Sequence, residues 1–261
     1  MPNDIEYALM AGRAYYDTRA DINRLPIPEG WSQVSRFPTS SSGFEAATFQ
    51  RGNEIVISFA GTATGVDWLA NAGLASGAGS DQLCEAAAYV VGIIKNNPNA
   101  SITFTGHSLG GGLAALMGVF FNRPAITFDQ APFRNSATSA MRDTLVAYLK
   151  THGYLGPVLM DIAPEIFAFT DLGSREGNVV GTIVDGEALS LEMLRLQGII
   201  TGIQRIGAQA TPLFHGSSDL LKAINLHSQT LLSAFLLNAD FQMATVDLPK
   251  LIEMIFDSRL Y

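Results

Sequence analysis

Ser108 stands in Gly106-His107-Ser108-Leu109-Gly110-Gly111-Gly112, directly after the β-branched and aromatic run Ser101-Ile102-Thr103-Phe104-Thr105. An apolar, alanine-rich run from Leu113 to Phe121 follows. Strand, sharp turn and helix are the setting that turns a serine into a nucleophile. The turn lifts the hydroxyl above the sheet edge, and glycines at the flanking positions let strand and helix pass closely. The helix aims its first unpaired N–H groups at the space beside the serine. The chemistry implied is attack by the Ser108 oxygen on a carbonyl carbon, with a covalent intermediate. A phosphate loop is excluded, because no Lys follows the glycines and the G-x-x-x-x-G-K-[ST] spacing is absent.

A serine hydroxyl needs a general base within hydrogen-bond reach. The chain has four histidines. His107 adjoins the nucleophile and is expected to pack or hydrogen-bond elsewhere. His152, in Thr151-His152-Gly153-Tyr154, reads as an exposed loop residue. His215 and His227 both lie downstream of a candidate acid. His227 is preferred because it opens a helical run after Ile224-Asn225-Leu226, whereas His215 sits in a Gly/Ser loop. The base needs a carboxylate to fix its tautomer. Asp185, at the end of the apolar run 178–184, is preferred, with Glu187 as its competitor; Asp161 and Asp171 have no strand leading into them. The oxyanion needs donors. The backbone N–H of Leu109 supplies one, and Thr62, after Phe59-Ala60-Gly61, supplies the other.

Elements that could carry these residues follow from periodicity. A helix is expected over Asp4–Thr18, an edge strand over Trp31–Phe37, and strands over Phe44–Gln50 and Glu54–Ala60 joined through Arg51-Gly52-Asn53. A helix capped by Asp81 runs to Lys95, and strand Ala125–Asp129 follows the turn-and-helix unit. Residues 134–175 read as helical and loop-like, with helix Ser136–Lys150 and then a Gly/Pro/aromatic stretch; strand Asn178–Asp185 and helices over Ser228–Leu237 and Phe241–Tyr261 complete the chain. This alternation specifies an α/β fold: a mostly parallel central sheet with helices on both faces. No repeat or linker divides it, so residues 1–261 read as one domain, and the unusually apolar segment 186–214 reads as a cap region or as core helix.

Apolar residues make up 48% and charged residues 15% of 261, a globular balance. A net charge of -8 disfavours nucleic acid and anionic lipid as electrostatic partners. The single cysteine, Cys84, cannot form an internal disulfide and reads as a small core residue. The N-terminal residues, with Asp4 and Glu6, lack the pattern of a secretory leader, and no apolar run suffices for a membrane span.

Gly-His-Ser-Leu-Gly-Gly at 106–111, Ile-Ser-Phe-Ala-Gly-Thr at 57–62 and Asp67-Trp68-Leu69 together resemble the class 3 lipases of the α/β-hydrolase fold, and Leu226-His227-Ser228 resembles the histidine region of bacterial members. The resemblance implies hydrolysis of acylglycerol or phospholipid esters by a Ser-Asp-His triad, an oxyanion hole at Thr62 and Leu109, and no metal or organic cofactor. A phospholipase A1-type activity is included in that implication. The sequence departs from the family where Ala60 replaces a frequent Arg, and where Asp185-Gly186-Glu187 replaces Asp-Pro-Val. The alternative from another class is a lipid-binding module on the same fold without turnover.

Overall fold

A computed structural model describes residues 2–15, 17, 25–61, 80–184 and 204–209, together with 228, 229, 232, 233 and 236. The described elements are helix α1 (Asp4–Arg13), strands β1 (Ser32–Phe37), β2 (Ala46–Arg51) and β3 (Glu54–Phe59), helix α2 (Ser80–Asn96), strand β4 (Ser101–His107), helix α3 (Leu109–Phe120) and strand β5 (Ala125–Phe128). Helices α4 (Ser139–Thr151), α5 (Gly156–Ile162) and α6 (Pro164–Phe167) follow, then strands β6 (Val179–Thr182) and β7 (Ala208–Gln209).

The strands form one seven-stranded sheet in chain order. β1, β2 and β3 are antiparallel neighbours, and β2 meets β3 across the Arg51↔Glu54 pair, so Gly52 and Asn53 make the expected hairpin turn. From β3 to β7 every neighbouring pair is parallel. Parallel neighbours in chain order need crossover connections, and their common hand sends consecutive helices to one face. Alternation along each strand then sorts the side chains. Ile55, Ile57 and Phe59 of β3 join Ile102 and Phe104 of β4 beneath α2 and α3, in the larger core. Val56, Phe49 and Ala47 point the other way and meet Tyr7, Ala8, Met10 and Ala11 of α1. Burying one such large side chain is worth roughly 1.5–3 kcal/mol, and Phe44, Phe59 and Phe104 stack in series across the larger core with centroids 6.1 Å apart at each step.

Several boundaries differ from expectation. α1 stops at Arg13 instead of reaching Thr18, although its start is firmly set by a capping box between Asn3 and Glu6. The chain leaves the helix so that Tyr15 enters the smaller core, and the Asp17 N–H donates to the Glu45 carboxylate. α2 begins at Ser80, which puts Asp81 in its first turn and not at its cap. β4 extends through His107, two residues beyond the expected Thr105. The Gly/Pro/aromatic stretch after α4 contains α5 and α6, each with Pro in its first turn. β6 ends at Thr182, short of Asp185. Within the expected cap segment 186–214, the described residues Ala208 and Gln209 pair with β6 as an edge strand; the remainder of the segment, apart from 204–207, lies outside the described residues, as does the helix expected at 241–261.

Candidate active site

β4 delivers the chain to Ser108, and α3 starts immediately after it. Ser108 adopts φ 59° and ψ -127°, a backbone region that side chains avoid. Strain of this kind persists only where neighbours hold the backbone on several sides. The Ser108 N–H donates to the Phe128 carbonyl at 3.0 Å, and its carbonyl accepts from Gly112 at 3.1 Å and from Ala131 at 2.9 Å. Ser108 is thereby pinned to the ends of both β5 and α3.

The glycines are explained by proximity. A methyl group at Gly106 would come within 2.4 Å of the Gly110 carbonyl, and one at Gly110 within 2.1 Å of the Phe59 carbonyl oxygen. Strand end, helix start and the neighbouring strand therefore meet backbone to backbone. Gly61, just past β3, runs against the same point. A methyl there would stand 3.2 Å from the Ser108 Cβ and 2.5 Å from the Tyr15 hydroxyl. Leu109 is the first residue of α3, so its N–H has no acceptor within the helix ladder.

His107 does what its neighbour position implied: it is buried and used for packing and polar contact. Tyr15 Oη lies 3.4 Å from its Nδ1, and Asp129 Oδ2 lies 3.8 Å from its Nε2. Asp129 itself is wholly buried just beyond β5, at φ 41°. Its Oδ1 accepts the Val184 N–H at 2.8 Å.

Thr62, Asp185, Glu187, His215 and His227 lie outside the described residues. Chain on their flanks is described, however, and it converges. Ala60, Val184 and Leu232 belong with Tyr15 and Phe128 to the same small cluster of buried side chains. Gln229 is buried too, its amide donating to the Ala8 carbonyl at 2.9 Å. The remaining candidates are not part of this region: Asp161 and Asp171 are exposed, and His152 is an exposed residue at the end of α4, stacked on Tyr148 at 3.9 Å. Among the described residues no cluster of His, Cys, Asp and Glu has the makings of a metal site, and no helix is long and apolar enough to cross a membrane. Cys84 is buried, and burial pushes its thiol up to about 11. A thiol so held stays protonated and offers no rival nucleophile.

Two residues beside the serine were not singled out from sequence. Asp129 was read as the last residue of a strand, although an acid at a strand end followed by Gln130-Ala131-Pro132 already carries a turn signal. Tyr15 falls within the helix expected over Asp4–Thr18, and nothing local distinguishes it.

Known proteins fall on this chain as follows. The extracellular phospholipase A1 of Serratia liquefaciens is 36% identical over 92 residues, which cover 35% of this chain and 28% of that protein. The chain thus matches well under a third of the relative's length. The native Rhizomucor miehei lipase propeptide complex superposes with a TM-score of 0.47 at 16% identity, over 87% of this chain and 76% of the other. A triacylglycerol lipase from Penicillium expansum gives 0.44 at 14% identity, over 82% and 80%. The Tle-like phospholipase domain matches residues 6–210, from within α1 past β7, enclosing the Ser108 turn and the whole of the larger core. A mostly parallel sheet with a strained serine between β4 and α3 agrees with that match, and the chain belongs to the phospholipase-like family as a Tle-like phospholipase domain.

Proposed function

We propose that this chain hydrolyses carboxylic esters of lipids through an acyl-enzyme on Ser108. The observation that carries the reading is the Ser108 backbone, strained and latched between β4 and α3 with Leu109 at the helix start. In the proposed reaction the imidazole of His227 takes the Ser108 proton while the oxygen attacks the ester carbonyl. Asp185 holds the His227 tautomer. The Leu109 N–H and the Thr62 backbone or hydroxyl receive the negative oxygen. Collapse breaks the ester C–O bond, and the leaving alcohol takes the proton from His227. Water then adds to the acyl group, giving its proton to the same imidazole. Collapse releases the fatty acid and returns the proton to Ser108. No step draws on a metal or an organic cofactor. Support for Asp185 and His227 comes from chain order and from the described residues near them, Val184 next to Asp185 and Leu232 five residues after His227, which share one cluster.

Phospholipid esters are the favoured substrate class, supported by family membership and by the Serratia likeness. Triacylglycerol is the second reading, supported by the class 3 lipase motifs at 57–62 and 106–111. The test is turnover of p-nitrophenyl esters of rising chain length, of phosphatidylcholine labelled separately in its two acyl chains, and of triacylglycerol. Ser108→Ala should lower kcat by about 10⁴-fold or more with folding retained. Undiminished turnover in that variant, or no wild-type turnover of any ester, would refute the proposal.

A further inference from the structure

Asp129 is a carboxylate without access to solvent, set one residue beyond β5 in a backbone conformation that few residues tolerate. Burying such a group is costly unless its oxygens are matched. Here one oxygen takes the Val184 N–H at 2.8 Å, and the other faces His107 Nε2 at 3.8 Å. The backbone joins in, since the Asp129 N–H donates to the Thr182 carbonyl at 2.9 Å. These partners lie at meaningful places in the chain: His107 immediately precedes Ser108, and Val184 immediately precedes Asp185. One buried side chain therefore touches the residue before the nucleophile and the residue before the expected acid.

We propose that Asp129 is a positioning residue that fixes the chain at Val184 against the turn bearing Ser108. It acts on the reaction through Asp185 and so rests on the assignment of Ser108 and Asp185 made above. The β6 ladder ends at Thr182, so sheet pairing alone does not hold the chain at 183 and 184. The Asp129 carboxylate continues that hold after the ladder has stopped. Misplacement of a catalytic group by about 1 Å costs on the order of 100-fold in rate, so the loss of this contact should be visible in kcat.

The test uses the full chain with Asp129→Gly and Asp129→Asn, each alone and combined with Asp185→Asn. Glycine accepts the positive φ and removes the carboxylate. Asparagine also tolerates that backbone and keeps an oxygen acceptor for the Val184 N–H. D129G should lower kcat on a short-chain p-nitrophenyl ester by roughly 10–100-fold with KM within about threefold, and D129N should recover most of that loss. In the D185N background D129G should cost less than about threefold, because both changes disable one unit. If D129G does not fold, Asp129→Ser is read in the same way, its hydroxyl being one atom too short for Val184. A D129G kcat within twofold of wild type, alongside a large D185N deficit, overturns this inference and leaves the ester-hydrolase reading intact. D129N as inactive as S108A, with D185N fully active, makes Asp129 the triad acid and overturns both the positioning role and the Asp185 assignment.

Discussion

Gly110→Ala is the sharpest probe of how the nucleophile is held. The added methyl would sit 2.1 Å from the Phe59 carbonyl oxygen, 2.7 Å from its carbon and 2.8 Å from the Ala60 carbonyl carbon. All of these are backbone atoms of the sheet, with no flexible side chain able to turn away. To reach ordinary contact, the start of α3 must back off by about 1 Å, since overpacked cores relieve strain by backbone shifts. Ser108 sits at the pivot, with its carbonyl bonded to Gly112 and Ala131. The stability loss expected from such overpacking is about 1–3 kcal/mol, or roughly 2–12 °C in Tm for a chain of this size. The activity loss should exceed the stability loss in effect. A displacement on that scale lowers kcat/KM by about 100-fold, even where the folded fraction stays near one. The assay combines p-nitrophenyl ester kinetics, the rate of Ser108 labelling by a fluorophosphonate, and thermal unfolding. Gly177→Ala is the control, because nothing lies within 4 Å of the added methyl. Wild-type labelling and an unchanged Tm in G110A would refute the idea that close backbone packing sets the serine's position.

Arg175→Ala should destabilise the fold by roughly 1.5–3 kcal/mol, read by urea unfolding. Its guanidinium donates to the carbonyls of Val119 and Phe120 at the end of α3 and of Glu165 in α6. Arg175→Lys should recover part of the loss, since all three bonds leave the single nitrogen Nη1 and an ammonium carries three donors at one point. Cys84 should resist iodoacetamide in the folded protein up to about pH 10 and react on unfolding, because its thiol is raised to about 11 by burial first and then by Asp81 and Glu85. The sign follows from linkage. Between the ordinary value of 9.0 and about 11 the folded thiol keeps a proton that the unfolded one loses, so stability falls as pH rises through that window. Cys84→Ala should flatten that part of the stability curve.

Legibility tracked how local the physics was. The Ser108 turn was readable because its glycines answer to steric demands within a few residues, and β3 and β4 were readable because buried parallel strands are continuous apolar runs. The hairpin at Gly52-Asn53 announced itself in the same local way. Other features depend on distant chain. α1 ends early because Tyr15 is claimed by a cluster formed with Phe128 and Val184, far off in sequence. β7 is two residues whose only credential is a free edge on β6. Asp129 looked like the tail of a strand because its meaning lies in Val184 and His107, neither of them sequence neighbours. For α5 and α6 the local signals are Pro157 and Pro164 in first turns, within a stretch whose Gly, Pro and aromatic content leaves helix and loop undivided.

The bond between the Gln229 amide and the Ala8 carbonyl joins positions 221 residues apart. During synthesis, α1 is made long before Gln229 and must wait for 221 further residues before this partner arrives. Until then the cluster of Ala47, Phe49 and Val56 lacks Leu232. The nascent chain thus carries an unfinished apolar surface while those residues are added, and the side chains that complete it come from the neighbourhood of His227 in sequence.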